Sequence, residues 1–134
     1  MTFSIFKLLN ERSKDDSAVS AKTIALFGNR FLLLKNKDNT YELPGGHIKK
    51  NEATMAGAIR EFQEETGIYP LLKRVVLRKP DRIIYIGNIS TNKVKISNEH
   101  KGFIFINKTQ FKKIKLSRKT KIDFNNLKFL FKDK

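Results

Sequence analysis

The chain has 134 residues, with 28 Lys and Arg against 13 Asp and Glu and a formal net charge of +15. An apolar content of 40% with eleven Phe is enough for one core, and a domain of this size buries roughly two-thirds of its unfolded surface. The absence of Cys excludes disulfides, zinc–thiolate sites and thiol nucleophiles, and two His exclude a His-rich metal site.

The opening "MTFSIFKLLNERSKDD" is broken by Lys7 and carries no small-residue cleavage site, so it does not read as a secretory signal. No stretch reaches the ~18 uncharged apolar residues that a membrane helix requires. One domain over residues 1–134, cytoplasmic and without membrane association, is expected. "KTIALFG", "NRFLLLKNK" and "NTYELPGG" predict three strands separated by turn residues. A helix follows from about Ala53 to Thr66, with Ala56, Ile59 and Phe62 as its apolar stripe and Gly67 as its stop. "LLKRVVLRK", "DRIIYIGNI", "KVKIS" and "GFIFIN" predict further strands. The pattern Thr120…Asp123 announces a final helix from about Lys121, with Phe124, Leu127 and Phe131 buried. Strands with two helices on the faces of one sheet make an α/β layered domain.

Charge is unevenly spread. Residues 1–68 hold ten basic against nine acidic side chains, and residues 69–134 hold eighteen against four, so the second half carries +14. A polyanionic partner such as RNA would explain this. So would A/T-rich coding, since 21 of the 28 basic residues are Lys. Both readings stay open.

Against that background, four of the thirteen acids fall within residues 52–65. On a helix Glu61, Glu64 and Glu65 share one face at i, i+3 and i+4. A solvated acidic face is one reading, because a like-charge pair costs only ~0.2–0.5 kcal/mol and Arg60 relieves Glu64. A metal–phosphate site is the other. A hard divalent cation takes several oxygen ligands, and "LPGGHI" ahead of the helix lets backbone approach a ligand without a Cβ in the way.

Residues 46–68 resemble the Nudix box of MutT-like hydrolases, G-x5-E-x7-R-E-u-x-E-E-x-G-u with u a bulky apolar residue. Gly46, Glu52, Arg60, Glu61, Phe62, Glu64, Glu65, Gly67 and Ile68 occupy every specified position. The resemblance implies a Nudix fold, an α/β/α sandwich around a mixed β-sheet. It implies a divalent-metal-dependent pyrophosphohydrolase that cleaves a diphosphate linkage in a nucleoside diphosphate joined to another group X. By similarity, Glu61, Glu64, Glu65 and the Gly46 carbonyl would ligate Mg2+ or Mn2+, and Glu52 with Arg60 would brace loop to helix. The general base would be a box Glu or Glu99, the only acid between Asp81 and Asp123. Tyr41, Tyr85, Phe103 and Phe105 are candidates to stack on a base, and Lys49, Lys50 and His47 to reach phosphate. His100 reads as an ordinary solvated residue. The alternatives are a pyrophosphohydrolase of capped or triphosphorylated RNA 5′ ends and a catalytically silent nucleotide- or RNA-binding module. The "HIKKN" stretch lacks the Pro- and Gly-bearing turn common in the family.

Overall fold

The computed structural model describes residues 19–127. Its strands are β1 (Ser20–Phe27), β2 (Arg30–Lys35), β3 (Tyr41–Glu42), β4 (Gly45–His47), β5 (Leu71–Lys79), β6 (Arg82–Asn88) and β7 (Gly102–Ile106). The helices are α1 (Thr54–Thr66) and α2 (Arg118–Asn126), with a 3-10 turn at Phe111–Lys113. All seven strands belong to one sheet of order β3-β2-β1-β6-β5, with β7 also on β2 and β4 also on β1. The sheet is mixed. β1 and β6 run parallel from Ser20 opposite Arg82 to Leu26 opposite Asn88, and the other named pairs are antiparallel.

Side chains alternate across a strand, and both faces of this sheet are covered. Ala21, Ile83 and Tyr85 pack with Ala58 of α1, while Ala25, Leu32 and Leu34 pack with Phe62. The interleaved Ile24, Phe31, Leu33 and Ile84 pack instead with Phe124 and Leu127. Two helices on opposite faces give the α/β/α sandwich. Phe131 lies outside the described residues, as does the opening "MTFSIFKLLNERSKDD".

The α1 stripe differs from the expected one. Ala56 is exposed, and the buried positions are Thr54, Gly57, Ala58, Phe62, Glu65 and Thr66. An acid occupies the inner face, which hydropathy alone would assign outward. Gly57 sits where a Cβ would come within 3.0 Å of Glu52 Oε1 and 3.1 Å of Ile48 Cγ1. That close approach accounts for a helical Gly that costs ~1 kcal/mol relative to Ala. At the C-terminus Gly67 takes the left-handed conformation (φ 74°) and its N–H donates to the Gln63 carbonyl.

Three other expectations are corrected. "NTYELPGG" is two short strands. Tyr41 and Glu42 pair with β2, and the chain then crosses at Leu43–Pro44 so that Gly45–His47 pair with β1. "KVKIS" is no strand, despite its alternation. It runs as an irregular segment whose Lys95 N–H donates to the Thr66 carbonyl at the end of α1, while Val94 and Ile96 cover the core beside Phe62. Helix α2 starts three residues early. Ser117 is its cap, accepting from the Thr120 N–H at 3.4 Å, and Asp123 is taken by Arg82 rather than by a capping box.

One topological feature positions the site. The edge of β1 changes partner along its length, pairing with β2 at Leu26–Phe27 and with β4 at Ser20–Lys22. β3 and β4 diverge where that edge splits, and Glu42, Gly45 and Gly46 are left around the opening.

Candidate active site

A cleft of about 410 Å³ opens at this split, walled by β1, β3 and β4, by Glu61 and Glu65 of α1, and by Lys119, Thr120 and Asp123 of α2. Glu99 reaches it from the loop before β7. Acidic groups occupy the α1 side. Lys22, Arg82 and Lys119 bring cations to the same space.

The acidic wall is organised by one guanidinium. Arg60 Nε donates to Glu52 Oε2 at 2.8 Å and Nη2 to Glu52 Oε1 at 3.0 Å. Nη2 also donates to the His47 carbonyl at 3.1 Å, and Nη1 donates to Glu61 at 3.0 Å and Glu64 at 3.1 Å. The five contacts match the five N–H donors of an Arg in number. Glu52 Oε1 further accepts from the Lys49 N–H, closing the loop onto the helix. The hydrogen bond from Arg60 holds the Glu52 carboxyl below its ordinary range, against the opposing effect of partial burial. Beside this clasp, a methyl group at Gly46 would overlap the Glu61 carboxylate and force it to shift.

Glu65 lies deeper. It is 5% exposed, and its Oε1 accepts the Gly45 N–H at 2.8 Å. Burial pushes its carboxyl up to about 7, although the Gly45 hydrogen bond, Lys22 and His100 all pull it down. Next to it, His100 Nε2 and Glu42 Oε2 are 2.8 Å apart, and Lys22 Nζ lies 4.0 Å from Glu42 Oε1. Burial would raise the Glu42 carboxyl, but the His100 hydrogen bond and Lys22 outweigh it and the net shift is downward. The hydrogen bond to Glu42, helped by the charges of Glu65, Glu42 and Glu99, raises the His100 imidazole despite its burial.

A carboxylate oxygen from Glu65, another from Glu99 and a ring nitrogen of His100 lie within 4.8 Å of one another. His100 Nδ1 is buried without a hydrogen-bond partner. An orphaned ring nitrogen, gathered carboxylates and a glycine cradle under Glu61 form a donor set that suits a divalent cation.

On the opposite wall, Arg82 is pinned. Its Nε donates to both Asp123 oxygens at 2.8 and 3.0 Å, and Nη1 donates to Asp81 at 2.8 Å. This buried pair ties β6 to α2 and fixes the helix that presents Lys119.

Residues 16–114, nearly three-quarters of the chain, match the family model described as NUDIX domain. The chain belongs to the Nudix family. Members of that family act on phosphoanhydride bonds and generally use a divalent metal. An ADP-ribose pyrophosphatase of Methanocaldococcus jannaschii is 29% identical over 111 residues, covering 72% of this chain. The chain spans 66% of that relative's length. A NUDIX-family hydrolase of Clostridium perfringens superposes with a TM-score of 0.69 at 16% identity, covering 87% of this chain and 99% of that one. An ADP-ribose pyrophosphatase of Streptococcus suis gives 0.67 at 16% identity, covering 78% and 83%. At those identities the two superpositions speak for the Nudix fold alone.

Within the Nudix box, the structure brings Gly46, His47, Glu61 and Glu65 to the cleft together with Glu99. Glu64 does not line it. Its side chain is 55% exposed, held at the rim by Arg60. Tyr85 is withdrawn as a substrate contact, because strand parity places it 2% exposed in the core under α1. Tyr41 packs against the core on the α2 face with Lys35 Nζ 5.8 Å from its ring centroid, and Lys49 is exposed. Neither lines the cleft, and neither do Phe103 and Phe105, whose rings stack edge-on to each other. Lys22, Glu42, Arg82 and Lys119 join the site without having been singled out from the sequence, Asp123 joins it having been read only as a helix cap, and His100 is buried rather than solvated. The one signal available for Lys22 and Glu42 was a charge within a predicted strand.

Proposed function

We propose that the chain is a divalent-metal-dependent pyrophosphohydrolase of small nucleotides, cleaving the diphosphate of a nucleoside diphosphate joined to a group X. The observation that carries this reading is the cleft itself, lined by the carboxylates Glu61, Glu65 and Glu99 and by the cations Lys22 and Lys119 around a space sized for a small ligand. Of the box residues, Glu61, Glu65 and the Gly46 carbonyl would hold Mg2+ or Mn2+, while Glu64 stays at the rim on Arg60. When bound, the cation supplies charge neutralisation at the phosphate oxygens. Lys22 and Lys119 would bind the diphosphate.

The reaction adds water across one P–O–P bridge. The water oxygen attacks one phosphorus, the bridging oxygen leaves on the other phosphate, and two phosphomonoesters result. Glu99 is the candidate to take the proton from water, being an exposed carboxylate on a loop at the cleft mouth. Glu52 and Arg60 would keep the helix and loop in register while this occurs. ADP-ribose is the first substrate to test, given the activity named for the archaeal relative. A panel of nucleoside diphosphate derivatives, nucleoside triphosphates and a 5′-triphosphorylated RNA, each with Mg2+, Mn2+ or chelator, tests the reading. Metal-dependent release of a nucleoside monophosphate from a small nucleotide is expected. Faster release of terminal phosphate from the RNA would put the RNA-end reading first, and binding without turnover would favour a silent module.

A further inference from the structure

We propose that His100 supplies a nitrogen ligand, Nδ1, to a divalent cation held also by Glu65 and Glu99, and that this mixed set selects Mn2+ over Mg2+. Three observations converge. The ring is 5% exposed, and one of its nitrogens lies within 4.8 Å of carboxylate oxygens from Glu65 and Glu99. Its Nε2 is engaged with Glu42 Oε2 at 2.8 Å, which leaves Nδ1 as the atom with a lone pair to give. That Nδ1 is buried without a partner, a condition native proteins rarely leave uncorrected.

The arrangement is that of a carboxylate–histidine–metal relay. A ligating imidazole almost always donates its second N–H to a carboxylate, which fixes the tautomer and the ring orientation. Here Glu42 takes that place, and Lys22 beside it balances the added charge. Metal preference follows from donor chemistry. Mg2+ favours an all-oxygen shell, whereas the first-row transition ions accept an imidazole nitrogen, and Mn2+, though the weakest binder of that series, does so better than Mg2+.

The inference rests on the hydrolase reading only in placing a cation on the same acidic wall, and its test is spectroscopic. Mn2+ added to the wild-type chain is examined by pulsed EPR, with Mg2+ competition for affinity. Imidazole-nitrogen modulation on the bound Mn2+ is expected, and it should vanish in His100→Gln. Mn2+ affinity should fall by roughly 10–100-fold in that variant, as for lost metal-site partners generally, with a smaller loss for Mg2+. Glu42→Gln should keep the nitrogen signal and bind Mn2+ about tenfold more weakly. Bound Mn2+ with no imidazole nitrogen in the wild type would overturn the inference while leaving the hydrolase reading standing. A nitrogen signal that persists in folded His100→Gln would assign it to His47 and overturn it equally. Should His100→Gln not fold, the wild-type spectrum and Glu42→Gln still decide. Failure of Mn2+ to bind at all would overturn the inference, and Mg2+-dependent turnover would then decide the hydrolase reading separately.

Discussion

Arg60→Ala removes the one group that organises the acidic wall. The guanidinium makes two contacts to Glu52, one each to Glu61 and Glu64, and one to the His47 carbonyl, all between 2.8 and 3.1 Å. Removing one partner of a fully buried pair costs ~3–5 kcal/mol. Arg60 is 22% exposed and Glu64 55% exposed, so solvent screening lowers the expected loss to about 2–3 kcal/mol. For a domain of this size that corresponds to a fall in Tm of about 10 °C. Metal dependence makes the test sharper. Without Arg60, three carboxylates face one another with no counter-charge, so a divalent cation should stabilise the variant more than the wild type. The gain is about 2.7 kcal/mol at a hundredfold excess over Kd. Thermal melts of both proteins in chelator and in saturating Mn2+ measure the two effects, with Arg60→Lys as the control that keeps charge but not the fork. A variant melting within about 2 °C of wild type in both conditions would refute the bracing role, since the proposed loss is several times larger.

Four further outcomes are expected. Glu65→Gln preserves an acceptor for the Gly45 N–H but removes charge, and turnover should drop by about 10²-fold or more; full activity with unchanged metal affinity would remove Glu65 from the site. Gly46→Ala places a methyl group against the Glu61 carboxylate, so metal affinity measured by calorimetry should fall at least about tenfold with the fold retained. The Glu52 carboxyl is lowered by Arg60, so its contribution to stability is present above its unfolded pKa and lost as pH falls through the lower folded value. Melts on the acid side of neutrality should show that loss in wild type and a flatter limb in Arg60→Ala. Binding of an RNA oligonucleotide should be weak and steeply salt-dependent, with a slope of about −0.7 per phosphate contacted. Charge reversal at the exposed Lys112, Lys113 and Lys115 should abolish that binding while nucleotide turnover persists; tight binding that survives the reversal would move any RNA footprint elsewhere.

The legible features were those written locally. Apolar runs bounded by turn residues located six of the seven strands, and the α1 stop at Gly67 follows from one residue's backbone freedom. The Glu52–Arg60 brace, implied by the resemblance of residues 46–68 to the Nudix box, joins two residues only eight apart. What the sequence hid depends on tertiary pairing. Glu42 meets His100 across 58 residues and Arg82 meets Asp123 across 41, and nothing in either segment names its partner. Tyr85 lies on a strand buried on both faces, so its direction is set by which face α1 covers. "KVKIS" has strand alternation, yet its backbone is spent on the end of α1 instead of a neighbouring strand. Ala56 and Ile59 mimic a helical stripe because the true inner face carries Glu65, an acid placed inward for the site.

The most direct measurement is hydrolysis of ADP-ribose with Mn2+ in water enriched in heavy oxygen, with products resolved by mass spectrometry. Two phosphomonoesters should appear, one of them carrying a single heavy oxygen, and both should vanish with chelator or in Glu65→Gln. Absence of cleavage for ADP-ribose and every other nucleoside diphosphate derivative, or equal cleavage by Glu65→Gln, would contradict a metal-dependent diphosphate hydrolysis seated in this cleft.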